Sequence, residues 1–245
     1  MNTELAKVSD WLAANKLSLN VKKSNFLHFH HGRKKPTINL SLNGIHVDEK
    51  DATKYLGTFI DNKLNWKTHI EHIRAKMSKG TGMISKIRYY VNETCLLNLF
   101  YSFVQSHANY NLLNWSSTKH SFLTPIELKF KTAIRLVSFK GRYEHTSALF
   151  SKLNILPFRQ LIKYKQGNFL WKVCNGYIKR PISNIFSKNT YNPLRFNLPT
   201  PDSTSAKTHL VYLCVKYWNS LPQEIRSAST LNVFNIRHKA HLMSN

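Results

Sequence analysis

The run Tyr55-Leu56-Gly57-Thr58-Phe59-Ile60-Asp61-Asn62-Lys63-Leu64 is where the chain changes its rhythm. Tyr55 to Ile60 is rich in aromatic and β-branched residues and reads as a strand, closed by Asp61-Asn62. Beyond Leu64 the apolar residues Trp66, Ile70, Ile73, Met77, Ile84 and Ile87 are spaced four, three, four, seven and three, with Lys and Arg on the remaining faces. Alternation does not give those intervals; the 3.6-residue period of a helix does. The fold class follows from the switch. It is α+β, with short antiparallel strands before Asp61 and a mostly α-helical chain after Leu64.

Upstream, Leu5, Val8, Trp11 and Leu12 share one face of a helix over 3–15, with Asn2 or Thr3 as its cap. Leu17, Leu19 and Val21 alternate, and Phe26-Leu27-His28-Phe29 reads as a strand. A basic turn, Arg33-Lys34-Lys35-Pro36, precedes a second alternating run, Ile38-Leu40-Leu42. Asn43-Gly44 then signals a hairpin leading into Ile45 and Val47. Downstream, Gly80 and Gly82 weaken the first long helix and are expected to divide it. Asn92 is placed to cap the next, with Leu96, Leu99, Phe100, Phe103 and Val104 as its apolar stripe. Helical patterns follow at 124–139 and 157–176, a Pro- and Ser-rich loop at 188–207, and two last helices at 208–219 and 230–242. Ser229 or Thr230 would cap the final one.

The charge is large and segregated. Among 245 residues, 36 Lys+Arg stand against 12 Asp+Glu, a formal net charge of +24. Residues 1–61 carry +3 and residues 62–245 carry +21; from His145 to Pro201 there are nine bases and no acid. A field of that sign and extent suits a polyanion, and nucleic acid is the default partner. Three cysteines exclude a disulfide scaffold and suggest a reducing compartment, so an intracellular location, nucleus or cytoplasm, is expected. The N-terminus carries Glu4, Lys7 and Asp10 rather than the apolar core of a secretory signal. Residues 94–118 lack formal charge but are too polar for a lipid-facing span, so they read as a buried helix running into an irregular segment, and no membrane partner is expected.

Self-contained chemistry is hard to find. His69-x-x-His72, His238-x-x-His241 and the cluster His28, His30 and His31 each lack the further ligands a metal needs, so no metal site is assigned. There is no GxSxG, no Gly-rich phosphate loop and no Asp-Asp pair among the five aspartates. The tight acidic cluster Asp48-Glu49-x-Asp51 reads as a solvated turn.

Ordered strings along nearly the whole chain carry a resemblance. Trp11-Leu-Ala-Ala-Asn-Lys-Leu-Ser-Leu-Asn-Val-Lys-Lys-Ser24 with Phe26-Leu-His-Phe29 resembles the segment after the catalytic Asp-Asp turn of non-LTR retrotransposon reverse transcriptases. Lys54-Tyr-Leu-Gly-Thr-Phe-Ile-Asp61, with Leu64-Asn-Trp66 and His69-Ile70, resembles their primer-grip hairpin and the entry to the thumb. Tyr110-x4-Trp115, Ile134-Arg135, His145-Thr146, Leu149-Phe150 and Leu153-x-Ile155-Leu156 continue it. Trp218-Asn219-x-Leu221-Pro222 closes it in the manner of jockey-like elements.

The resemblance implies the C-terminal part of an RNA-directed DNA polymerase: a rear-palm remnant over 1–62, a helical thumb-like region over 63–187, and a linker with a helical extension over 188–245. The implied partners are RNA, DNA or an RNA–DNA hybrid, together with the missing N-terminal half of the polymerase. The catalytic aspartates of the family have no counterpart here, so the chain alone is expected to bind primer–template without extending it. Mg²⁺ is implied only for the full-length enzyme, and no cofactor is expected on this chain.

Site residues follow by match. Lys23 stands where an ammonium could protonate the pyrophosphate leaving group or steady the triphosphate. Tyr55, Leu56 and Gly57 match the primer grip, Gly57 either admitting a nucleic-acid backbone or forming a bulge in a plain buried strand. Lys63, Lys67, Arg74 and Lys79 lie where a thumb helix would follow a duplex. Arg135 either contacts template or pairs with Glu127, while Trp115, Trp171 and Trp218 read as core anchors. Two other readings stand beside this one: a stand-alone basic helical nucleic-acid-binding protein, and a truncated gene product without function.

Overall fold

A computed structural model of the chain describes residues 2–30, 36–42, 44–179, 181–201, 207 and 209–244. The basic turn at 33–35, His31, Asn43 and residues 202–206 of the 188–207 loop lie outside them. The protein is α+β and mostly helical, 58% of it, with a few short strands. It divides into two compact units, Met1–His69 and Ile70–Asn245.

Among the described residues the first unit holds helix α1 (Asn2–Ala14) and six short strands: β1 (Asn25–Phe26), β2 (Ser41–Leu42), β3 (Ile45–His46), β4 (Asp48–Glu49), β5 (Ala52–Tyr55) and β6 (Thr58–Asp61). They pair two by two. In the β2–β3 hairpin Leu42 faces Ile45, and Gly44 takes φ +75°, as a two-residue hairpin turn requires. The β5–β6 hairpin runs four pairs from Ala52↔Asp61 to Tyr55↔Thr58.

Four expectations are corrected here. The strands are not all antiparallel: β1 and β4 pair in parallel, Asn25 with Asp48 and Phe26 with Glu49. The acidic cluster is therefore not a free turn, because Asp48-Glu49 is β4 itself. Tyr55 to Ile60 is not one strand either. It folds back at Leu56-Gly57, both at positive φ (+44° and +81°), the pattern of a tight type I′ turn. Of Phe26-Leu27-His28-Phe29 only Phe26 is in a strand.

The second unit is built on aromatic burial. Helix α2 (Lys67–Ile87) enters it from the end of the first unit and runs unbroken through Gly80 and Gly82. Gly80 is a contact point rather than a breaker: a Cβ there would lie 2.6 Å from the carbonyl oxygen of Phe103. Asn92 caps α3 (Glu93–Phe100) by accepting from the Cys95 N–H at 2.9 Å. Residues Tyr101–Gln105 then widen into a π-helical turn. The extra residue shifts the phase, so Val104 is buried while Phe103 is 40% exposed, off the stripe its spacing predicted.

Short helices α4 (Ser106–Asn109) and α5 (Leu112–Trp115) follow, then α6 (His120–Val137), α7 (Ser147–Lys152), α8 (Phe158–Cys174), α9 (Leu210–Ser220), α10 (Gln223–Arg226) and α11 (Leu231–Ser244). Phe100, Phe130, Phe158 and Trp115 cluster at one end of α8, with Trp115 stacked on Phe158 at 5.9 Å and Phe100 edge-on to Phe130. Trp171, Trp218, Phe196 and Phe234 form the other end. Each buried indole N–H finds a backbone carbonyl: Trp115 donates to Tyr110, Trp171 to Ala228 and Trp218 to Leu194, all near 3 Å. These tryptophans are core anchors, at 0–1% exposure. Residues on both sides of 188 share this core, since Phe186 and Phe196 pack with Trp218 and Phe234.

Candidate nucleic-acid interface

The β5–β6 hairpin presents its tip to solvent. Tyr55 is 63% exposed and Leu56 73%, with Gly57 beside them. Leucine at φ +44° is unusual, because its Cβ crowds the carbonyl in the left-handed region. Asn or Gly would close the same turn without that cost. The four-pair ladder stands behind the tip, and Tyr55, Leu56 and Gly57 stay out of the core.

The base of the hairpin is organised by Asp61. Its buried carboxylate accepts from the backbone N–H groups of Lys63 and Asn65 at 3.1 Å and of Trp66 at 2.8 Å. Leu64 and Trp66 both take positive φ, which turns these N–H groups inward as a nest for an anion, and the side chain of Asp61 fills it. His69 is a core histidine. Its Nδ1 accepts from the Phe59 N–H at 3.3 Å and its ring meets Trp66 edge-on.

The residues picked out in the sequence are not gathered at one place. Lys63 is exposed before α2, and Lys67, Arg74 and Lys79 are exposed on it. At about 100° per residue, Lys67 and Arg74 fall about 20° apart round the helix. Lys79 lies about 140° from Arg74, in line instead with Lys86, which the sequence reading did not name. The cations of α2 therefore form two stripes, not one track. Their field reaches His107, whose imidazole is held below its ordinary range first by burial and then by Lys76 and His72.

Lys23 closes a surface 3₁₀ turn (Val21–Lys23) and is exposed, its N–H donating to Asn20 Oδ1 at 3.2 Å. Arg135 does not pair with Glu127. That carboxylate is taken by Arg159 and Lys131, both at 2.9 Å, and they hold it below the usual range against the effect of its burial. The Nε of Arg135 donates instead to the Glu144 carbonyl at 2.7 Å, and Arg135 lines a cavity with Arg88 and Phe139, which the sequence reading missed.

Asp61 is occupied by three N–H groups, and Asp51 accepts from Asn62 Nδ2 at 2.8 Å. Among the described residues no group of three or more His, Cys, Asp or Glu is placed to hold a metal ion. Burial pushes the thiols of Cys174 and Cys214 up to about 11 and about 12, which disfavours their thiolate forms. Among the same residues no helix is long and apolar enough to cross a membrane. The hairpin tip of the first unit thus carries exposed apolar surface, and the part of α2 in the second unit carries exposed cations. Comparison with family models, with curated proteins and with solved structures returned no match.

Proposed function

We propose that the chain is the C-terminal part of an RNA-directed DNA polymerase of a non-LTR retrotransposon. Residues 1–62 are then the rear of the palm, 63–187 a thumb-like region, and 188–245 the extension. The observation that carries this reading is the tip of the β5–β6 hairpin. A leucine is kept on a left-handed turn residue and exposed beside an exposed tyrosine, and the run that forms the tip is the one that resembles a primer grip. The cations of residues 62–245 supply the sequence-independent phosphate contacts such a fragment needs. Chemistry belongs to the full-length enzyme, whose missing N-terminal half brings the aspartates and Mg²⁺.

The test is binding of a labelled primer–template hybrid at rising salt, alongside primer extension with Mg²⁺. The expected result is hybrid bound in preference to heparin, a steep loss of affinity between about 50 and 200 mM salt, and no extension product. Robust extension overturns the inactive-fragment reading. Equal affinity for hybrid and heparin favours the second reading, a stand-alone basic binder, for which the acid-free stretch from His145 to Pro201 is the supporting feature.

A further inference from the structure

We propose that a cavity of about 440 Å³ at the C-terminal ends of α2 and α6 binds single-stranded nucleic acid, with a base on its aromatic rings and the phosphates on its cations. Arg88 and Tyr89 follow α2; Arg135 lies in the last turn of α6, and Phe139, Lys140 and Arg142 follow that helix. Segments about fifty residues apart in sequence thus bring four cations to one hollow.

The ordinary account of such cations is that they complement the negative ends of the two helices. Each helix end carries only about half a charge, and so cannot balance four full ones. Protein acceptors do little more. Glu144 reaches Lys140 at 3.9 Å, and Arg135 donates to a neutral carbonyl, which leaves its charge in place. The Nε of Arg88 is buried without a hydrogen-bond partner, while its guanidinium lies 4.9 Å from the centre of the Tyr89 ring and 5.7 Å from that of Phe139.

The rings choose the ligand. Helix α6 ends in a Schellman pattern: Lys140 N–H donates to Arg135 O at 2.8 Å and Phe139 N–H to Leu136 O at 3.3 Å. The residue at the left-handed position of that motif is usually glycine; here it is Phe139, at φ +55° and 44% exposed. A bulky side chain is held there at a conformational cost while nearly half of it stays exposed. Tyr89 is 76% exposed and Tyr143 88%, the latter under the guanidinium of Arg142 at 5.9 Å. A simple polyanion needs only the charges. Exposed rings next to guanidinium groups add a stacking surface for a flat base. Within a duplex the bases stack on one another and cannot reach such a surface, so the fit is to a single strand. This inference rests on the cavity's own residues and stands whether or not the polymerase reading does.

Fluorescence anisotropy on the full chain tests it, with an oligo(dT) of about a dozen nucleotides and an abasic strand of the same length as probes. The wild type is expected to bind oligo(dT) about tenfold more tightly than the abasic strand. Tyr89→Ala and Phe139→Gly should each reduce oligo(dT) affinity about five- to tenfold and leave the abasic strand unaffected. Arg142→Ala should weaken both. Phe139→Gly removes the ring while easing the backbone at that position, so its thermal stability is expected to be retained or raised. Equal wild-type affinity for the two strands overturns the proposal. So does a base preference that survives both ring substitutions, or a preference for duplex over oligo(dT) that Phe139→Gly abolishes.

Discussion

In the first unit α1 buries no residue, the ladders are two to four residues long, and order comes from turn geometry and from N–H groups gathered on Asp61. In the second unit three tryptophans and five phenylalanines are fully buried, and most of the helices meet through them. Hydrogen bonds fix a local shape but add only about 1 kcal/mol each, whereas burying a large ring adds several times that. The contrast teaches where each unit can carry exposed apolar groups. The first displays Tyr55 and Leu56 on a tip built from polar scaffolding, and the second displays Phe139 just past the end of a helix whose Phe130 is buried.

The largest expected effect would break the contrast if it failed. Trp218→Ala should cost about 3–5 kcal/mol in urea unfolding, with hydrogen exchange of the β5–β6 hairpin unchanged. Loss of hairpin protection in that variant would mean that the two units share their stability.

Next comes pH. His238 is buried against Tyr164 and Phe234, shares a 2.7 Å hydrogen bond with Tyr217, and is held down to about 4 by burial and, less, by His241. The same burial pushes the Tyr217 phenol up. Between the unfolded value near 6.5 and the folded value the unfolded chain binds the extra proton. Stability is therefore whole above pH 6.5 and falls as pH drops toward 4, by about 3 kcal/mol. Urea midpoints measured across that range check it, and a substitution of His238 should flatten the profile.

Asp61→Ala should cost about 1–3 kcal/mol, read as faster exchange of the Lys63, Asn65 and Trp66 amides and confined to the first unit. The smallest effect sharpens the comparison most. Leu56→Asn should stabilise the hairpin by up to about 1 kcal/mol while lowering affinity for a primer–template hybrid. Stabilisation without lost affinity would make the tip a mere turn.

Much of this was legible in local pattern. The switch of period after Leu64, the Asn43-Gly44 hairpin and the Asn92 cap each depend on residues a few positions apart. The parallel pairing of β1 with β4 was not legible, because it joins segments 23 residues apart through backbone groups that no side chain announces. Glycines show the same divide. Gly57 serves a turn, Gly80 lets the π-helical segment come close, and a Cβ on Gly167 would lie 2.3 Å from the His238 ring. Composition and spacing treat the three alike, and only their neighbours separate them. The cations of the candidate sites repeat the lesson. Lys79 was expected with Arg74 and stands instead with Lys86, and Arg135, read as a template contact or a partner of Glu127, leaves Glu127 to Arg159 and Lys131 and lines the cavity with Arg88.

By itself the sequence determined the α+β class, the order of most elements and a strongly positive second unit, since period and charge are local or summed properties. The tertiary structure alone decided which rings stay exposed, which carboxylate is occupied and which four cations meet, because those depend on packing between segments far apart in the chain.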